Sequence, residues 1–255
     1  MKRRPFICYI SNRISLDWFL VESFVPKNTF LSGEYIEKVP AWHTDDSVWK
    51  ANCVRQVLQR NRLSPRLIGE VGCGTGEVLR QLQLGMDPQC LFMGYDIAPE
   101  AIELSRARQN ERLQCRVADI RKEPGAHFDL LLILDVLEHQ ENYFSFLRSM
   151  KSLSPYKLFH TVLDLSAQAV LRKGNLSRRR QVTDDLHFFT KETFLQSLRD
   201  EQYEILDWFY VPRSAHRASG ISRKILQLPR KICFALDSDF AARLLGGYSL
   251  FVLAK

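Results

Sequence analysis

A run of alternating glycines between an apolar stretch and a helical stretch constrains the fold more than any other feature. Residues 67–71 are mostly apolar and have the length of a buried strand, and Gly72, Gly74 and Gly76 follow at every second position. Glycine adopts backbone angles that a β-carbon forbids, and it lets a ligand approach the main chain closely. Residues 77–84 then show the helical spacing of apolar side chains. The pattern predicts a strand, a tight turn and a helix whose first N–H groups face a polar ligand.

The glycine spacing and the residue before the turn narrow the class of ligand. Dinucleotide-binding turns read G-x-G-x-x-G, whereas the third glycine comes one residue earlier here. Glu70 stands directly before the turn, where a carboxylate disfavours a pyrophosphate and favours an ammonium group. Both features disfavour a nicotinamide-dependent oxidoreductase.

The pattern E-x-G-C-G-x-G that begins at Glu70 resembles the first motif of class I S-adenosylmethionine-dependent methyltransferases. In that family the acidic residue lies near the methionine ammonium of the cofactor, and the glycine turn packs against the cofactor's amino acid part. In this chain the matching turn residues are Gly72, Cys73, Gly74 and Gly76. The resemblance implies S-adenosylmethionine as the cofactor.

A second acidic residue ends the next predicted strand, residues 90–96. Asp96 lies 20 residues after Gly76, and a carboxylate at this point of an α/β sheet accepts hydrogen bonds from ribose hydroxyls. Residues 94–102 resemble the second motif of the same family. The resemblance implies that Ile97 packs on the adenine face, and a plain helix cap is the alternative role for Asp96.

Two further strands complete the predicted cofactor edge of the sheet. Residues 114–120 contain the third strand and its exit, and the resemblance implies that Asp119 reaches the adenine amino group. It also implies that the backbone N–H of Ile120 meets an adenine ring nitrogen. Residues 128–135 are an unbroken apolar run up to Asp135, which is typical of a central parallel strand buried on both faces. We expect Asp135 to lie at the cofactor cleft.

Two histidines are candidates for a general base, because histidine titrates near neutral pH. Residues 135–139 resemble the D-V-L-E-H segment of small-molecule methyltransferases, and they differ from the D/N-P-P-Y segment of enzymes that methylate nucleic-acid bases or glutamine. His139 is therefore the first candidate. Residues 185–194 resemble the H-x-x-F-T-x-E-T entry to the last helix of the family, which makes His187 the second. Packing or helix capping is the alternative role of both histidines.

The loops after the fifth predicted strand, residues 157–164, are expected from the family resemblance to shape the acceptor pocket. His160 and Asp164 are therefore candidate contacts to the acceptor. Arg178, in the basic run of residues 178–180, is a candidate contact to an anionic acceptor.

The order of elements predicts an α/β fold with a Rossmann-like sheet of seven mostly parallel strands and helices on both faces. The sixth strand is predicted at residues 204–211. The last, at residues 246–254, is expected to run antiparallel beside it. No metal site is predicted, because the six cysteines contain no C-x-x-C pair.

The predicted domain organisation has two parts. Residues 1–64 form an N-terminal extension and a helix that starts at Asp46 or Ser47 and ends near Arg62. Residues 65–255 form the methyltransferase domain, with basic or amphipathic insertions at about 165–185 and 213–245.

Composition and charge limit the partners. The chain has 255 residues, of which 45% are hydrophobic, and no apolar run reaches the roughly 18 residues of a membrane span. We therefore expect a cytoplasmic protein without a transmembrane segment. Residues 171–231 hold 13 Lys and Arg against 7 Asp and Glu, which favours an anionic substrate, a phospholipid surface or a solvated basic face. Residues 221–236 carry an amphipathic stripe, which predicts either a peripheral membrane contact or a lid.

The most probable activity by this reasoning is methyl transfer from S-adenosylmethionine to a small-molecule or glycan-like acceptor, at oxygen. One alternative is a nucleic-acid (RNA) methyltransferase that uses the basic C-terminal region, although no nucleic-acid-binding module is recognisable. The other is a non-catalytic interaction protein that binds the cofactor. The sequence does not indicate the oligomeric state.

Overall fold

The computed structural model describes residues 44–212 and 228–255. Its centre is a seven-stranded sheet in the order β3-β2-β1-β4-β5-β7-β6. Strands β1 to β5 are parallel to one another, and β7 lies between β5 and β6 and is antiparallel to both. The strands are β1 (Leu67–Val71), β2 (Leu91–Asp96), β3 (Leu113–Val117), β4 (Leu130–Leu134), β5 (Tyr156–Leu163), β6 (Ile205–Pro212) and β7 (Tyr248–Ala254).

Nine helices of the described residues cover the sheet or extend from it. They are α1 (Thr44–Arg60), α2 (Glu77–Gly85), α3 (Pro99–Ser105), α4 (Tyr143–Met150), α5 (Ala167–Leu171), α6 (Asn175–Thr183), α7 (Lys191–Asp200), α8 (Leu228–Leu236) and α9 (Ser238–Leu245). The predicted Rossmann-like fold, including its antiparallel last strand, is confirmed.

Strand β4 shows how the core is divided. All five of its residues are buried, and alternate side chains point to opposite faces of the sheet. Leu130 and Leu132 join the layer that α1 and α2 cover, whereas Leu131 and Ile133 join the layer that α4 and α7 cover. The unbroken apolar run predicted a strand buried on both faces, and this is what forms.

Helix α1 begins earlier than predicted. It spans Thr44–Arg60, so Ser47 lies inside the helix and is buried rather than standing at its cap. The helix ends two residues before the predicted Arg62, which has a φ of 54° and therefore leaves the helical path. Its apolar stripe, which includes Val54 and Val57, packs into the same core layer as α2.

The insertions contain more helix than the sequence indicated. Residues 165–185 hold α5 and α6, of which α6 is almost wholly polar and has no buried residue. In the described chain, none of the helices combines the length and apolar character needed to cross a bilayer. The predicted cytoplasmic location stays a prediction. The predicted extension at residues 1–40 lies outside the described residues, as does much of the 221–236 stripe.

Candidate functional site

A cavity opens at the carboxyl ends of β1, β2 and β4, which is where ligands bind in open α/β sheets. Its empty space, which includes open solvent, is about 900 Å³. Eight residues predicted from sequence line it: Glu70, Gly72, Cys73, Gly74, Asp96, Ile97, Asp135 and His139.

The glycine turn forms the floor of the cavity. At two of its positions only glycine fits, because any other residue would be strained or would clash. Gly72 has a φ of 67°, and a β-carbon there would lie 2.8 Å from Val136. Gly76 has a φ of 72° at the start of α2, and a β-carbon there would lie 2.9 Å from the sulfur of Cys115. The turn therefore follows a path that only glycine allows, close under the space a ligand would occupy.

Asp96 holds this turn in place. One carboxylate oxygen accepts the N–H of Gly74 at 2.8 Å, and the other accepts the N–H of Ala98 at 2.9 Å. The residue is 7% exposed, and burial raises the pKa of its carboxyl group although the backbone hydrogen bonds oppose the shift. Each bonded oxygen retains a further acceptor position for a ligand hydroxyl.

Glu70 presents a buried acceptor to the same cavity. It is 3% exposed, and its Oε2 has no hydrogen-bond partner among the described residues. Burial raises the pKa of the Glu70 carboxyl group well above its ordinary value, and the charge of Lys50 opposes that rise only in part. A buried acceptor without a partner destabilises the empty site, so a ligand that donates there, such as an ammonium group, fits it.

Lys50 is one of the cavity-wall residues that were not predicted from the sequence, and it carries a charge at the centre of the site. Its Nζ lies 2.6 Å from Oδ2 of Asp135. Burial alone would lower the pKa of the Lys50 ammonium group, but the Asp135 carboxylate outweighs this effect and holds the pKa above its ordinary value. Its position in α1 could have revealed it. Lys50 stands four residues before Val54 on the buried stripe, where a lysine needs a partner.

Asp135 is held between two basic groups at the end of β4. Its backbone has a φ of 57°, and its Oδ1 lies 2.7 Å from Nδ1 of His160. Burial would raise the pKa of the Asp135 carboxyl group, but the charges of His160 and Lys50 hold it well below its ordinary value. The ring of His160 contacts Trp49 and Phe251, with centroid distances of 5.5 and 4.5 Å.

The two candidate bases occupy different positions. His139 lines the cavity, and its Nδ1 lies 3.2 Å from the carbonyl oxygen of Asp184 and 3.7 Å from the carboxylate of Asp185. A carbonyl only accepts, so this geometry places a proton on Nδ1 and the lone pair on Nε2. His187 does not line the cavity. Its Nε2 donates to the carbonyl of Gln140 at 2.8 Å.

Glu138 of the D-V-L-E-H segment is a bracing residue rather than part of the cavity wall. Its Oε1 accepts the N–H of Val162 at 3.0 Å and the hydroxyl of Thr161 at 2.5 Å, both on β5. Its main-chain carbonyl accepts the N–H groups of Leu186 and His187. Burial raises the pKa of the Glu138 carboxyl group to about 8, and the negative charge of Asp135 adds to the shift.

The remaining predicted site residues lie outside the cavity lining. Gly76 starts α2, and Ile120 is buried in the core layer under α4. Asp119 accepts two hydrogen bonds from the Arg121 side chain, and that pairing lowers the pKa of its carboxyl group. The predicted adenine contacts of Asp119 and Ile120 stay predictions.

The predicted acceptor contacts are placed differently from expectation. His160 is 3% exposed behind Asp135, and Asp164 is 9% exposed and forms an ion pair with Arg179. Neither lines the cavity, so the structure gives no support to direct contacts with an acceptor. Arg178 is exposed on α6, and its neighbour Arg179 is the arginine that turns inward.

Comparisons with known proteins agree with this geometry. The profile of the methyltransferase domain family matches residues 70–155. No curated protein matches the sequence. Magnesium protoporphyrin IX methyltransferase (ChlM) from Synechocystis PCC 6803, crystallised with bound S-adenosylhomocysteine, has a TM-score of 0.55 at 16% identity and covers 86% of this chain and 85% of its own.

Two further solved structures share the fold. An S-adenosylmethionine-dependent methyltransferase from Mesorhizobium loti has a TM-score of 0.50 at 17% identity, over 77% of this chain and 95% of its own. The [4+2]-cyclase SpnF has a TM-score of 0.54 at 19% identity, over 80% of this chain and 81% of its own. At such identities the likeness shows the fold alone.

Proposed function

The chain carries a class I S-adenosylmethionine-dependent methyltransferase domain, and from that premise we propose that it methylates an oxygen atom of a small-molecule or glycan-like acceptor. The observation that carries the proposal is the position of His139. It is the histidine in the cavity wall, and the carbonyl of Asp184 fixes its proton on Nδ1. The lone pair on Nε2 is then suited to take a proton from an acceptor hydroxyl.

The residues of the cavity fit S-adenosylmethionine. Glu70 offers a buried acceptor for the methionine ammonium, and the turn at Gly72 and Gly74 leaves room for the amino acid part to lie against the main chain. Asp96 retains acceptor positions for ribose hydroxyls, and Ile97, which is 38% exposed in the wall, offers an apolar surface for adenine. When bound, the cofactor supplies a sulfonium methyl group that is open to in-line displacement.

The residues of this chain contribute mainly alignment and proton transfer. A rigid glycine turn and the brace at Glu138 hold the two sides of the cavity, so a donor and an acceptor bound there keep one relative position. Such alignment contributes roughly 7–11 kcal/mol in well-oriented reactions. His139 then removes the hydroxyl proton as the new bond forms, and Asp185, 3.7 Å from Nδ1, stabilises the resulting imidazolium.

The first experiment is a calorimetric titration with S-adenosylmethionine and S-adenosylhomocysteine, with NAD as the control ligand. We expect both adenosyl ligands to bind and NAD not to bind. Turnover is then measured as S-adenosylhomocysteine released with a panel of hydroxyl-bearing and amine-bearing acceptors. Binding without turnover on any acceptor would favour the non-catalytic alternative, and salt-sensitive binding of RNA would favour a nucleic-acid acceptor.

Two histidine variants separate the general-base assignment from the cofactor assignment. His139→Ala is expected to keep cofactor affinity and to lose about 10²- to 10⁴-fold in turnover, which is the usual contribution of a general base. His187→Ala is the matched control and should retain turnover, because its ring packs beside Tyr143 and outside the cavity lining. Full activity of the His139 variant on an oxygen acceptor would refute the role of that histidine.

A further inference from the structure

Two segments of the chain carry all of its positive excess. Residues 165–182 and 213–236 contain 11 Lys and Arg and no Asp or Glu, although the formal net charge of the whole chain is only +7. The remainder of the protein is therefore net acidic. The described parts of these segments, residues 165–182 and 228–236, hold seven Lys and Arg and no Asp or Glu, and such an excess of one sign attracts an anionic partner.

The described parts of these segments also expose large apolar side chains. Leu171, at the end of α5, is 84% exposed, and Leu236, at the end of α8, is 83% exposed. Val170 beside the first and Ile232 one turn before the second are also more than half exposed. Phe240 on α9 adds an exposed aromatic side chain. Single exposed apolar residues are ordinary, whereas a group of them on neighbouring helices marks an interaction site.

The helices that carry these residues form one corner of the molecule. Helix α9 packs against both α5 and α8. Arg230 of α8 reinforces the packing, since its guanidinium donates to the carbonyl of Leu245, the last residue of α9, at 3.1 Å. The exposed apolar side chains of α5, α8 and α9 therefore lie in one region, which we call the helical corner.

The basic side chains of the helical corner divide into inward and outward groups. Arg179 pairs with Asp164, and Arg230 bonds within the corner, so both have structural roles. The exposed basic side chains of the corner and of the adjoining α6 are Arg172, Lys173, Arg178, Arg180, Lys231 and Arg243, of which Arg243 pairs with Glu192. The outward surface thus combines aliphatic and aromatic groups with cations, and its acidic groups include Asp237, which is exposed after Leu236, and Asp239, which pairs with Lys191.

We propose that the helical corner docks the protein onto the surface of a membrane that contains anionic phospholipids. Leucine, isoleucine and phenylalanine side chains at this corner would enter the boundary between headgroups and acyl chains. Arginine and lysine would lie at the phosphates, as in interfacial amphipathic helices. A nucleic acid would use the cations but would leave the exposed leucines in water, and for that reason the lipid surface fits better.

The test is flotation of the purified full-length chain with vesicles of phosphatidylcholine alone or of phosphatidylcholine mixed with phosphatidylglycerol. We expect binding to the mixed vesicles, weak binding to pure phosphatidylcholine, and release from the mixed vesicles as sodium chloride is raised. Equal binding to both vesicle types, or no binding to either, would overturn the proposal. The outcome does not depend on catalysis, because no acceptor or cofactor enters the assay.

Two pairs of variants locate the contact. Leu171→Glu combined with Leu236→Glu should lower binding by at least about 10-fold, since both side chains would enter the interface. Leu84→Glu is the matched control, because Leu84 is 69% exposed on α2 and lies outside the helical corner. Its binding should equal that of the wild type.

A second double variant tests the contribution of the exposed cations. Arg172→Ser combined with Lys173→Ser should lower binding to the mixed vesicles about 25-fold, from about fivefold for each cation removed. Arg116→Ser, an exposed arginine on β3, is the control. If both corner variants bind like their controls, or if the leucine variant lowers the unfolding temperature because another part of the chain covers the corner, the proposal fails.

Discussion

Replacement of Asp96 by asparagine separates two roles of its carboxylate, which are to brace the backbone and to bind the ribose of the cofactor. Its two oxygens accept the N–H groups of Gly74 and Ala98, so Asp96 fixes both the glycine turn and the start of α3. A carboxylate has about four acceptor positions, and these two backbone bonds leave about two for the ribose hydroxyls of the cofactor.

The expected losses of cofactor affinity and of stability follow from these acceptor positions. Asparagine keeps one acceptor oxygen and replaces the other by a donor, so at least one charge-assisted bond to ribose is lost. Such a bond is worth about 1.5–3 kcal/mol, and Asp96→Asn should therefore weaken cofactor binding about 10- to 150-fold. One of the two backbone N–H groups also loses its acceptor, which should lower the free energy of unfolding by about 1–3 kcal/mol.

The assay is calorimetric titration with S-adenosylhomocysteine, together with urea unfolding of the ligand-free protein. Glu103→Gln is the control, because this carboxylate is exposed on α3 and pairs only with Arg106 on the surface. Its affinity should match that of the wild type. A lower unfolding free energy of Asp96→Asn with unchanged affinity would show that Asp96 only braces the turn, and it would refute the ribose assignment.

Three further variants test the packing and charge of the site. Lys50→Met removes one of the two basic partners of Asp135, whose side chain is 30% exposed and keeps His160 beside it, and should cost about 1 kcal/mol in urea unfolding, whereas the double variant with Asp135→Asn should recover part of that loss. Glu138 has a pKa raised from 4.5 to about 8, so its contribution to stability is complete below pH 4.5 and is lost as the pH rises towards 8. The wild type should lose about 1.4 kcal/mol per pH unit in that window relative to Glu138→Gln, measured by urea unfolding, and parallel curves would contradict the shift. Gly94→Ala places a β-carbon 2.6 Å from the sulfur of Cys73 and should lower the melting temperature, and a second change, Cys73→Ala, should restore only part of the loss, because the β-carbon of residue 73 still lies 2.9 Å away and the Sγ of Cys115 3.0 Å away.

The sheet could be predicted because its signals are local. The apolar run of β4, the glycine turn after β1 and the acidic residue that ends β2 each specify their own conformation within a few residues. The predicted ends of helices were less accurate than the predicted strands. Helix α1, for example, starts at Thr44 rather than at the predicted cap. Helix α6 was not predicted, because its polar sequence has no apolar stripe to reveal it.

The site was predictable only where a residue's position in the sheet determines its surroundings. Glu70, Asp96 and Asp135 lie at or next to the carboxyl ends of β1, β2 and β4, so they had to meet at one edge. Lys50 and His160 meet Asp135 from α1 and β5, and such contacts depend on how a helix turns and which face a strand residue takes. For the same reason the run at residues 178–180 did not indicate that Arg179 is the arginine that turns inward.

The charge of the cavity leads to a last prediction about the cofactor itself. Burial holds the pKa of Glu70 well above its ordinary value, so a proton is retained there in the ligand-free protein at acidic pH. An ammonium group beside this carboxylate would lower its pKa again, because an opposite charge favours the ionised form. Binding of S-adenosylhomocysteine should therefore release a proton, and affinity should fall as the pH is lowered.

Calorimetry in two buffers of different ionisation enthalpy measures that proton directly, because released protons add the buffer's own heat to the binding heat. The difference should be present in the wild type and absent in Glu70→Gln, which holds no titratable proton at this position. If the wild type shows no dependence on the buffer across acidic and neutral pH, the ammonium does not lie at Glu70. The cofactor's amino acid part would then have to bind in another orientation, with its ammonium at another acidic group of the cavity such as Asp135.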